Sequence, residues 1–377
     1  MANRILIKNA RLISDGQELS ASSLVVANGH ICSVGADKTA EYEQVIDLEG
    51  HILTPGLIDI QINGGYTRYF SLTPDAETIA EVTEACLEHA TPYFYITLIS
   101  SPVQTIFTAI DAVRAAMQTN PHILGMHLEG PFLNPIRKGA HNAQVICSPT
   151  LDTLRELIEY GRGVIRMITL APEMWSPEAI DLILESGIQI SLGHSDATYE
   201  EAMTLFDRGV HIVTHLYNAM SAFTHRSPGL VGASLEHPEV YTPVILDGRH
   251  CHPAAARLAY KLKGEQFILL TDAAVLGRRM KEMAWEGLYA ILTPEGYYVN
   301  PDGNLAGSAI SMPEAVSNAM SYLGVTFAEA IDMGTRRVAR AIGMQDKLGR
   351  LAEGYQAAFS VFAPDLSSSH SLSLLSQ

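Results

Sequence analysis

The stretch IQISLGHSDATYEEAMTLFDRGVHIVTHLYNAM, residues 188–220, decides the fold of this chain. Two short apolar runs flank a segment with the spacing of a helix, so the pattern predicts a strand–helix–strand unit. Strands joined in this way run parallel, and both carboxyl ends reach the same edge of a sheet. Each run ends in a histidine, His194 and His215. We therefore expect the two imidazoles side by side at the edge where open sheets and (β/α)₈ barrels carry their chemistry.

Two neutral imidazoles at neighbouring strand ends can supply two of the ligands of a zinc or iron site. A lone histidine in an apolar run is more often a hydrogen-bonded core residue, and only the pairing at two strand ends reverses that preference. The rest of the chain has to supply the remaining ligands.

The composition excludes several classes of protein. The chain has 377 residues with 47% hydrophobic and 18% charged residues, enough for one large domain and a smaller one. Its net charge of −16 argues against nucleic acid as a partner, although a local Arg/His cluster can still hold an anionic small substrate. The four cysteines are far apart and form no C-x-x-C pair, which favours reduced thiols in the cytoplasm. No apolar run approaches the roughly 20 residues that cross a bilayer, and we expect a soluble protein with no membrane partner.

The two ends of the chain are predicted to form one small β-sheet domain. Residues 1–53 contain short alternating runs separated by turns, with Asn28-Gly29 as a hairpin signal. Near the other end, LGRLAEGYQAAFSVFAPD is typical of a turn followed by a strand. The tail 367–377 is rich in serine, and we expect it to be poorly ordered.

The middle of the chain alternates strand and helix patterns. Helical patterns such as AETIAEVTEACLEHA separate most of the candidate strands. Eight strands, mostly separated by helices, favour an α/β fold of the (β/α)₈ TIM-barrel type over an open doubly wound sheet. The candidate strands are 56–64, 92–100, 123–130, 164–173, 188–195, 210–217, 243–248 and 266–272.

Polar residues at the ends of these strands should meet at one face of the barrel. Glu129 ends the third strand and Asp272 the eighth, while Gln61 and Asn63 lie on the first. Three protein ligands with one position left for water are the layout of a catalytic metal site. We predict one divalent zinc or iron ion bound by Glu129, His194 and His215. Asp272 is then the general base, which takes a proton from the attacking water and passes it to the leaving group.

Further polar residues are candidates for holding a substrate. Arg226 lies beside a Gly/Pro turn, where free backbone N–H groups help to bind a phosphate, and His250 after the seventh strand can join it. His141, in the loop after the third strand, can polarise a carbonyl. An ordinary exposed arginine and ordinary loop histidines are the alternative interpretation of each residue taken alone.

Motifs along the whole chain resemble one family. PGLIDIQINGG, HLEGPFLN with KGAHN, LAPE, GHSDAT, THLYNAM with RSPG, DGRH, TDA and LAGSAISM occur in the order found in N-acetylglucosamine-6-phosphate deacetylases of the amidohydrolase superfamily. The resemblance implies a metal-dependent barrel, residues 55–343, with a small β-sandwich formed by residues 1–54 and 344–377. It implies hydrolysis of the acetamide of N-acetyl-D-glucosamine 6-phosphate to glucosamine 6-phosphate and acetate, in amino-sugar catabolism.

The resemblance also implies roles for particular residues. Glu129, His194 and His215 are the implied metal ligands, Asp272 is the acid/base, and His141 helps the metal to polarise the acetyl carbonyl. Family members are commonly homodimers in which the arginine at the position of Arg226 reaches into the neighbouring site. The expected substrate-binding residues are Gln61, Asn63, Ala140, His141, Asn218, Ala219, Arg226, His250, Leu305, Ala306 and Gly307.

Two departures from the family pattern concern the sugar and the last strand. After Asp272 the family has small residues, whereas this chain reads AAVLGRRM, so that Leu276, Arg278 and Arg279 bear on which sugar or acyl group is preferred. An Ala-Asp pair is replaced by Ala-Ala at 357–358, which predicts a degraded last strand.

A third departure concerns the number of metal ions, and it separates the alternatives. The first strand has Gln61-Ile62-Asn63 where two-metal relatives have His-x-His, which predicts a single ion because amide oxygens are weak ligands for zinc or iron.

A dihydroorotase-like cyclic amidase is disfavoured, since it typically needs His-x-His and often a lysine on the fourth strand, and VIRMITLAPE has no lysine. An N-acetylgalactosamine-6-phosphate deacetylase and a barrel scaffold without catalysis remain as alternatives.

Overall fold

The two ends of the chain build two small sheets in the computed structural model, which describes residues 4–36, 41–148, 150–285, 288–301, 303 and 305–375. Their strands are β1 (Arg4–Lys8), β2 (Arg11–Ser14), β3 (Gln17–Glu18), β4 (Leu24–Ala27), β5 (His30–Val34), β6 (Gln44–Asp47), β7 (Ile52–Pro55), β19 (Ala358–Phe362) and β20 (Ser369–Ser373). One sheet has the order β5-β4-β1-β6, and the other β20-β19-β7-β2-β3. Both sheets contribute to one apolar cluster that contains Ile7, Leu24, Leu53 and Phe359. The limits 1–54, 55–343 and 344–377 stay a prediction.

Two local predictions for the small sheets have opposite outcomes. Asn28 and Gly29 join β4 to β5 with φ of 50° and 75°, the left-handed pair that a tight hairpin needs, so this prediction is confirmed. The expectation of a degraded last strand and a poorly ordered tail is wrong as far as Leu375. Strand β20 pairs with β19 along its whole length, and Leu372 and Leu374 pack against the small core, because the tail alternates serine with leucine.

A ring of eight parallel strands lies between the two ends in sequence. The strands β8 to β13 form one continuous sheet, and β14 pairs with β15. The bridges Ile212↔Tyr241 and Ile62↔Ala273 join these two pieces at both edges, so the ring closes. Each strand overlaps a predicted one, and the predicted (β/α)₈ barrel is confirmed: β8 (Ile58–Ile62), β9 (Tyr93–Ile99), β10 (Ile123–Glu129), β11 (Ile165–Leu170), β12 (Gln189–Leu192), β13 (Ile212–Val213), β14 (Thr242–Ile245) and β15 (Phe267–Leu270).

Helices follow the strands and cover the outside of the ring. Their buried residues recur at helical spacing, as with Ile106, Ile110 and Val113, and this apolar stripe packs on the strands. Polar caps set where several helices begin; Thr198 and Glu201 form a capping box, for example. The helices are α1 (Ala76–Glu88), α2 (Val103–Met117), α3 (Leu151–Tyr160), α4 (Pro177–Ser186), α5 (Tyr199–Asp207), α6 (Gly229–Glu236), α7 (Pro253–Lys263), α8 (Met312–Leu323), α9 (Phe327–Met333) and α10 (Arg336–Ala341).

An antiparallel sheet between β15 and α8 was not predicted. It comprises β16 (Glu282–Trp285), β17 (Leu288–Leu292) and β18 (Tyr298–Val299). Its apolar residues form a separate cluster with Tyr69 and Ile99, which follow or end the first two barrel strands. The turn sequence TPEG between two runs rich in tyrosine is the signal that sequence inspection missed. Within the described ranges, no helix is long and apolar enough to cross a membrane.

Candidate metal centre and active site

Three predicted site residues occupy unusual backbone conformations at the carboxyl ends of the strands. His194 lies two residues beyond β12, His215 two beyond β13, and Asp272 two beyond β15, with φ of 49°, 32° and 49°. Non-glycine residues rarely adopt this left-handed region, and each such residue costs about 1–3 kcal/mol unless its surroundings hold it. Strained backbone of this kind clusters at active sites. The ends of three barrel strands therefore show a local feature of a functional site.

The three predicted ligands converge. Glu129 Oε1 lies 3.2 Å from His194 Nε2 and 3.2 Å from His215 Nε2, and the two Nε2 atoms are 3.1 Å apart. All three side chains are buried. Zinc bonds of about 2.0–2.1 Å in a tetrahedron would separate ligand atoms by roughly 3.3–3.4 Å. The spacing of these three atoms therefore fits a small divalent cation.

Hydrogen bonding orients the lone pair of His194 toward the carboxylate of Glu129. His194 Nδ1 lies 2.9 Å from the carbonyl oxygen of Arg137, which can only accept, so Nδ1 carries the proton and Nε2 presents its lone pair. Burial would raise the pKa of Glu129, but its contacts with His194 and His215 hold that pKa well below the usual range. A carboxylate that stays ionised in a buried site next to the Nε2 lone pair of His194 is a donor set suited to a cation.

His141 belongs to the same cluster but is farther from the carboxylate. Ligand atoms of Glu129, His141 and His194 all lie within 4.8 Å of one another, and His141 Nε2 is 4.0 Å from Glu129 Oε2. The backbone N–H of Ser100 donates to His141 Nδ1 at 3.2 Å, and Ser100 Oγ is 2.7 Å from the same atom. Because an N–H group cannot accept, Nδ1 is unprotonated and Nε2 carries the proton on the side of the cluster. Burial lowers the pKa of His141 to about 3, so the ring is a neutral donor.

Ser100 is a site residue that sequence analysis missed. It follows β9 directly, and its backbone N–H fixes the tautomer of a residue 41 positions later, which its hydroxyl also contacts. The available signal was a polar residue at the end of the second predicted strand, as for the other strand ends.

The first strand ties the ligand carboxylate to the predicted base. Gln61 Nε2 donates to Glu129 Oε1 at 3.0 Å and to Asp272 Oδ1 at 3.1 Å, while Asn63 Nδ2 donates to the same Asp272 oxygen at 2.9 Å. Both amides are buried. Burial and, next in size, the negative charge of Glu129 raise the pKa of Asp272 to about 6. Asp272 thus has the proton affinity of a general base that operates near neutral pH.

Several predicted substrate residues surround this group. Gly139, next to Ala140, lies close to His194, since an added Cβ would be 3.2 Å from the imidazole, which is tighter than an ordinary contact. Ala219 accepts a hydrogen bond from the N–H of Ser195, beside His194. Asn218 donates a hydrogen bond to the carbonyl oxygen of the ligand candidate His215. The predicted residues Leu305, Ala306 and Gly307 come directly before Ser308, whose N–H donates to the carbonyl oxygen of Asp272.

His250 has a partner that sequence analysis did not identify. Its Nδ1 lies 2.6 Å from Asp247 Oδ2, and that contact holds the pKa of Asp247 below the usual range although burial alone would raise it. His250 is also near enough to Asp272 for its positive charge to lower the pKa of that base. The imidazole is therefore close enough to Asp272 to interact with it electrostatically.

Arg226 is not brought into the site of its own chain. It belongs to the exposed loop 222–227, and no hydrogen bond or ion pair of Arg226 occurs within the part of the chain that the structure describes. Phe223 in the same loop is 61% exposed, which is unusual for a large apolar side chain.

The arginines after Asp272 are engaged elsewhere. Arg278 donates to Glu314 at 2.6 Å and to the carbonyl oxygen of Gly296 at 2.8 Å. Arg279 stacks on the ring of Tyr66 and pairs with Glu88, and Leu276 is buried. Arg278 thus ties the turn between β17 and β18 to α8, and Arg279 is tied to α1, so both arginine side chains have partners within the chain.

A barrel with a carboxylate–imidazole cluster at the ends of its strands is the architecture of a class of hydrolases. Comparison with known proteins identifies this class. Residues 52–374 match the amidohydrolase family. The chain belongs to the amidohydrolase family.

Individual relatives are similar over almost the whole length. An N-acetylglucosamine-6-phosphate deacetylase of Haemophilus influenzae is 35% identical over 349 residues, which are 90% of this chain and 91% of that protein. An N-acetylgalactosamine-6-phosphate deacetylase of a Shewanella species is 33% identical over 360 residues, 94% of this chain and 90% of that protein. The crystal structure of N-acetylglucosamine-6-phosphate deacetylase from Pasteurella multocida superimposes with a TM-score of 0.91 at 32% identity and covers 97% of both chains.

Proposed function

We propose that this chain hydrolyses the acetamide of N-acetylglucosamine 6-phosphate to glucosamine 6-phosphate and acetate. The observation that carries the proposal is the hydrogen bonding of Gln61, which links a candidate metal carboxylate, Glu129, to a base of raised pKa, Asp272. Amide hydrolysis needs an electrophile that polarises the carbonyl and, close to it, a base that accepts a proton from water. The activities of the relatives from Haemophilus influenzae and Pasteurella multocida support this substrate.

The proposed cofactor is one zinc or iron ion per chain, held by Glu129, His194 and His215. Such an ion supplies Lewis acidity toward the acetyl carbonyl and lowers the pKa of water. Gln61 and Asn63 turn their N–H groups toward the carboxylates, so both amides serve as hydrogen-bond donors rather than as ligands of a second ion. This supports a single ion.

The proposed proton transfers follow from the protonation states. Asp272, held by two amide donors, accepts a proton from the attacking water and delivers it to the leaving nitrogen. His141 presents Nε2–H to the acetyl oxygen, where negative charge develops. Because its pKa is lowered, His141 stays neutral and donates a hydrogen bond without losing its proton.

The proposed phosphate contacts require a second copy of the chain. Arg226 and Phe223 lie on the exposed loop 222–227, and His250 lies near Asp272 within one chain. A homodimer in which Phe223 packs against the neighbour and Arg226 meets the neighbour's substrate accounts for both exposed side chains. The cytoplasm is the proposed compartment, since all four cysteines are free thiols.

N-acetylgalactosamine 6-phosphate is a second candidate substrate, favoured by the relative from a Shewanella species. The two sugars differ only in the configuration of one hydroxyl group, so the metal centre and base serve both.

Acetate release from a panel of 6-phosphates separates these possibilities. N-acetylglucosamine, N-acetylgalactosamine and N-acetylmannosamine 6-phosphate are compared by kcat/KM with the metal-loaded protein. The proposal expects the first to be preferred. A higher kcat/KM for the galactosamine epimer would replace the substrate, and no acetate from any of them, despite bound metal, would favour a scaffold without catalysis.

A further inference from the structure

The barrel closes at an incomplete seam between its first and last strands. At this seam β8 and β15 form no regular ladder among the residues that the structure covers. The segments that follow the two strands are joined by the main-chain bonds from Asn63 N to Ala273 O at 3.0 Å and from Leu276 N to Gly65 O at 2.7 Å, with the bridge Ile62↔Ala273. The pairing of β8 with β9 also shifts register between Asp59 and Ile62. Asn63 and Ala273 lie two residues after Gln61 and one after Asp272, so whatever holds the seam together also holds the backbone that carries these two side chains.

A buried carboxylate fills the gap. Asp59 is 2% exposed, and its Oδ1 accepts from the backbone N–H of Gln61 at 3.2 Å and from that of Thr271 at 3.3 Å. Its Oδ2 accepts from the hydroxyl of Thr271 at 2.5 Å. The side chain of Asp59 thus takes the place of a main-chain acceptor between strands whose residues are 212 positions apart. A carboxylate without any charge partner is costly to bury, so burial raises the pKa of Asp59 to about 7, and the three donors to it lower that pKa only in part.

Thr271 continues the connection to the base. Its hydroxyl donates to Asp59 and accepts from the N–H of Ala273 at 3.1 Å. The residue between them is Asp272, whose φ of 49° lies in the left-handed region that a side chain rarely adopts. The hydroxyl therefore spans the strained residue, with both its donor and its acceptor satisfied inside the protein.

We propose that Asp59 and Thr271 are positioning residues that hold Asp272 in its strained conformation and keep its carboxylate against Gln61 and Asn63. Asp59 acts on both sides of the site, since it binds the N–H of Gln61 as well as Thr271. Neither residue touches the substrate. The inference rests on the proposed function for its kinetic consequence, while its structural consequence is independent of it.

Thr271→Val tests the proposal, because valine has the same shape without the hydroxyl. The metal-loaded variant is expected to lose roughly 10- to 100-fold in kcat, since small displacements of a catalytic group cost about this much. KM for N-acetylglucosamine 6-phosphate and the metal content should stay within about twofold of the wild type, because the ligands are untouched. Thr271→Ser restores the hydroxyl and should recover most of the rate.

A matched control and a double variant separate positioning from general stability. Thr335→Val removes another buried hydroxyl, which donates to the carbonyl oxygen of Ile331 at 2.8 Å far along the chain from the site, and should keep full kcat. If Thr271 acts only through the base, Thr271→Val added to Asp272→Asn should cause little further loss of rate. A full additional loss in the double variant, or loss of metal from Thr271→Val, would assign Thr271 a merely structural role and overturn the proposal.

A crystal structure of the Thr271→Val protein gives a readout that needs no activity. The expected result is an Asp272 side chain displaced from Gln61 Nε2 and Asn63 Nδ2. An unmoved Asp272 with wild-type kcat overturns the positioning role and leaves the proposed function intact. A wild-type protein that releases no acetate overturns the proposed function, and the position of Asp272 in the variant still decides the structural claim.

Discussion

Replacing Asp272 with asparagine removes the proposed base while preserving its surroundings. The amide oxygen can take the place of Oδ1, which accepts from Gln61 at 3.1 Å and from Asn63 at 2.9 Å, so the side chain keeps its orientation. Only proton transfer is lost, and a positioned acid/base typically contributes about 10²–10⁴ in rate, or about 2.7–5.4 kcal/mol. In an acetate-release assay, kcat should fall by this factor with little change in KM. A variant within tenfold of the wild-type kcat would refute the assignment.

The same substitution should stabilise the metal-free protein. Burial raises the pKa of Asp272 from 3.8 to about 6, so the folded state resists ionisation that the unfolded chain permits. The wild type therefore loses stability as the pH rises from about 4 to about 6. The difference in pKa corresponds to an upper limit of about 3 kcal/mol, and the contact that the carboxylate keeps with solvent reduces this value. Asparagine has no such loss. Urea unfolding in the presence of a chelator should show a gain that grows across this window and stays constant above it; a metal-free variant less stable than the wild type at pH 7 would contradict the argument.

Other predictions concern the remaining groups. Ser100→Ala removes the 2.7 Å contact to His141 and should lower kcat by roughly 5- to 30-fold. Ser101→Ala removes a hydroxyl that donates to the carbonyl oxygen of Ile99 and should leave kcat unchanged. Arg226→Ala should raise KM for the phosphorylated sugar by roughly 10- to 150-fold and leave the unphosphorylated sugar unaffected; equal effects would remove the phosphate role, and mixing this variant with Asp272→Asn subunits should restore activity across a dimer. Elemental analysis after mild chelation should find one ion per chain, and two would disprove the single-ion proposal. The rate should fall with decreasing pH with a midpoint at or below about 6, since the base acts when ionised and a cation lowers its pKa; a midpoint above 7 would contradict this.

The sequence by itself determined the architecture and most of the candidate residues. Alternating apolar runs and helical patterns predicted the eight barrel strands. The polar residues at the ends of four of these runs are Glu129, His194, His215 and Asp272, which made them the site candidates. These signals are local, because the period of a strand or helix is written in neighbouring residues. The same local view failed for the tail, where serines alternating with leucines read as disorder although they form β20 on the edge of β19.

Only the tertiary structure decided how these residues are held and what state they are in. The proton on His141 is placed by Ser100, and the strained backbone of Asp272 is spanned by a hydroxyl bound to Asp59. Hydrogen-bond partners of this kind come from strands far apart in the chain, and no periodicity connects a donor at 271 with an acceptor at 59. Burial is likewise a property of the closed barrel, and it is burial that moves the pKa of His141 to about 3 and that of Asp272 to about 6. A side chain's identity is written at one position, whereas its protonation and orientation depend on everything packed around it.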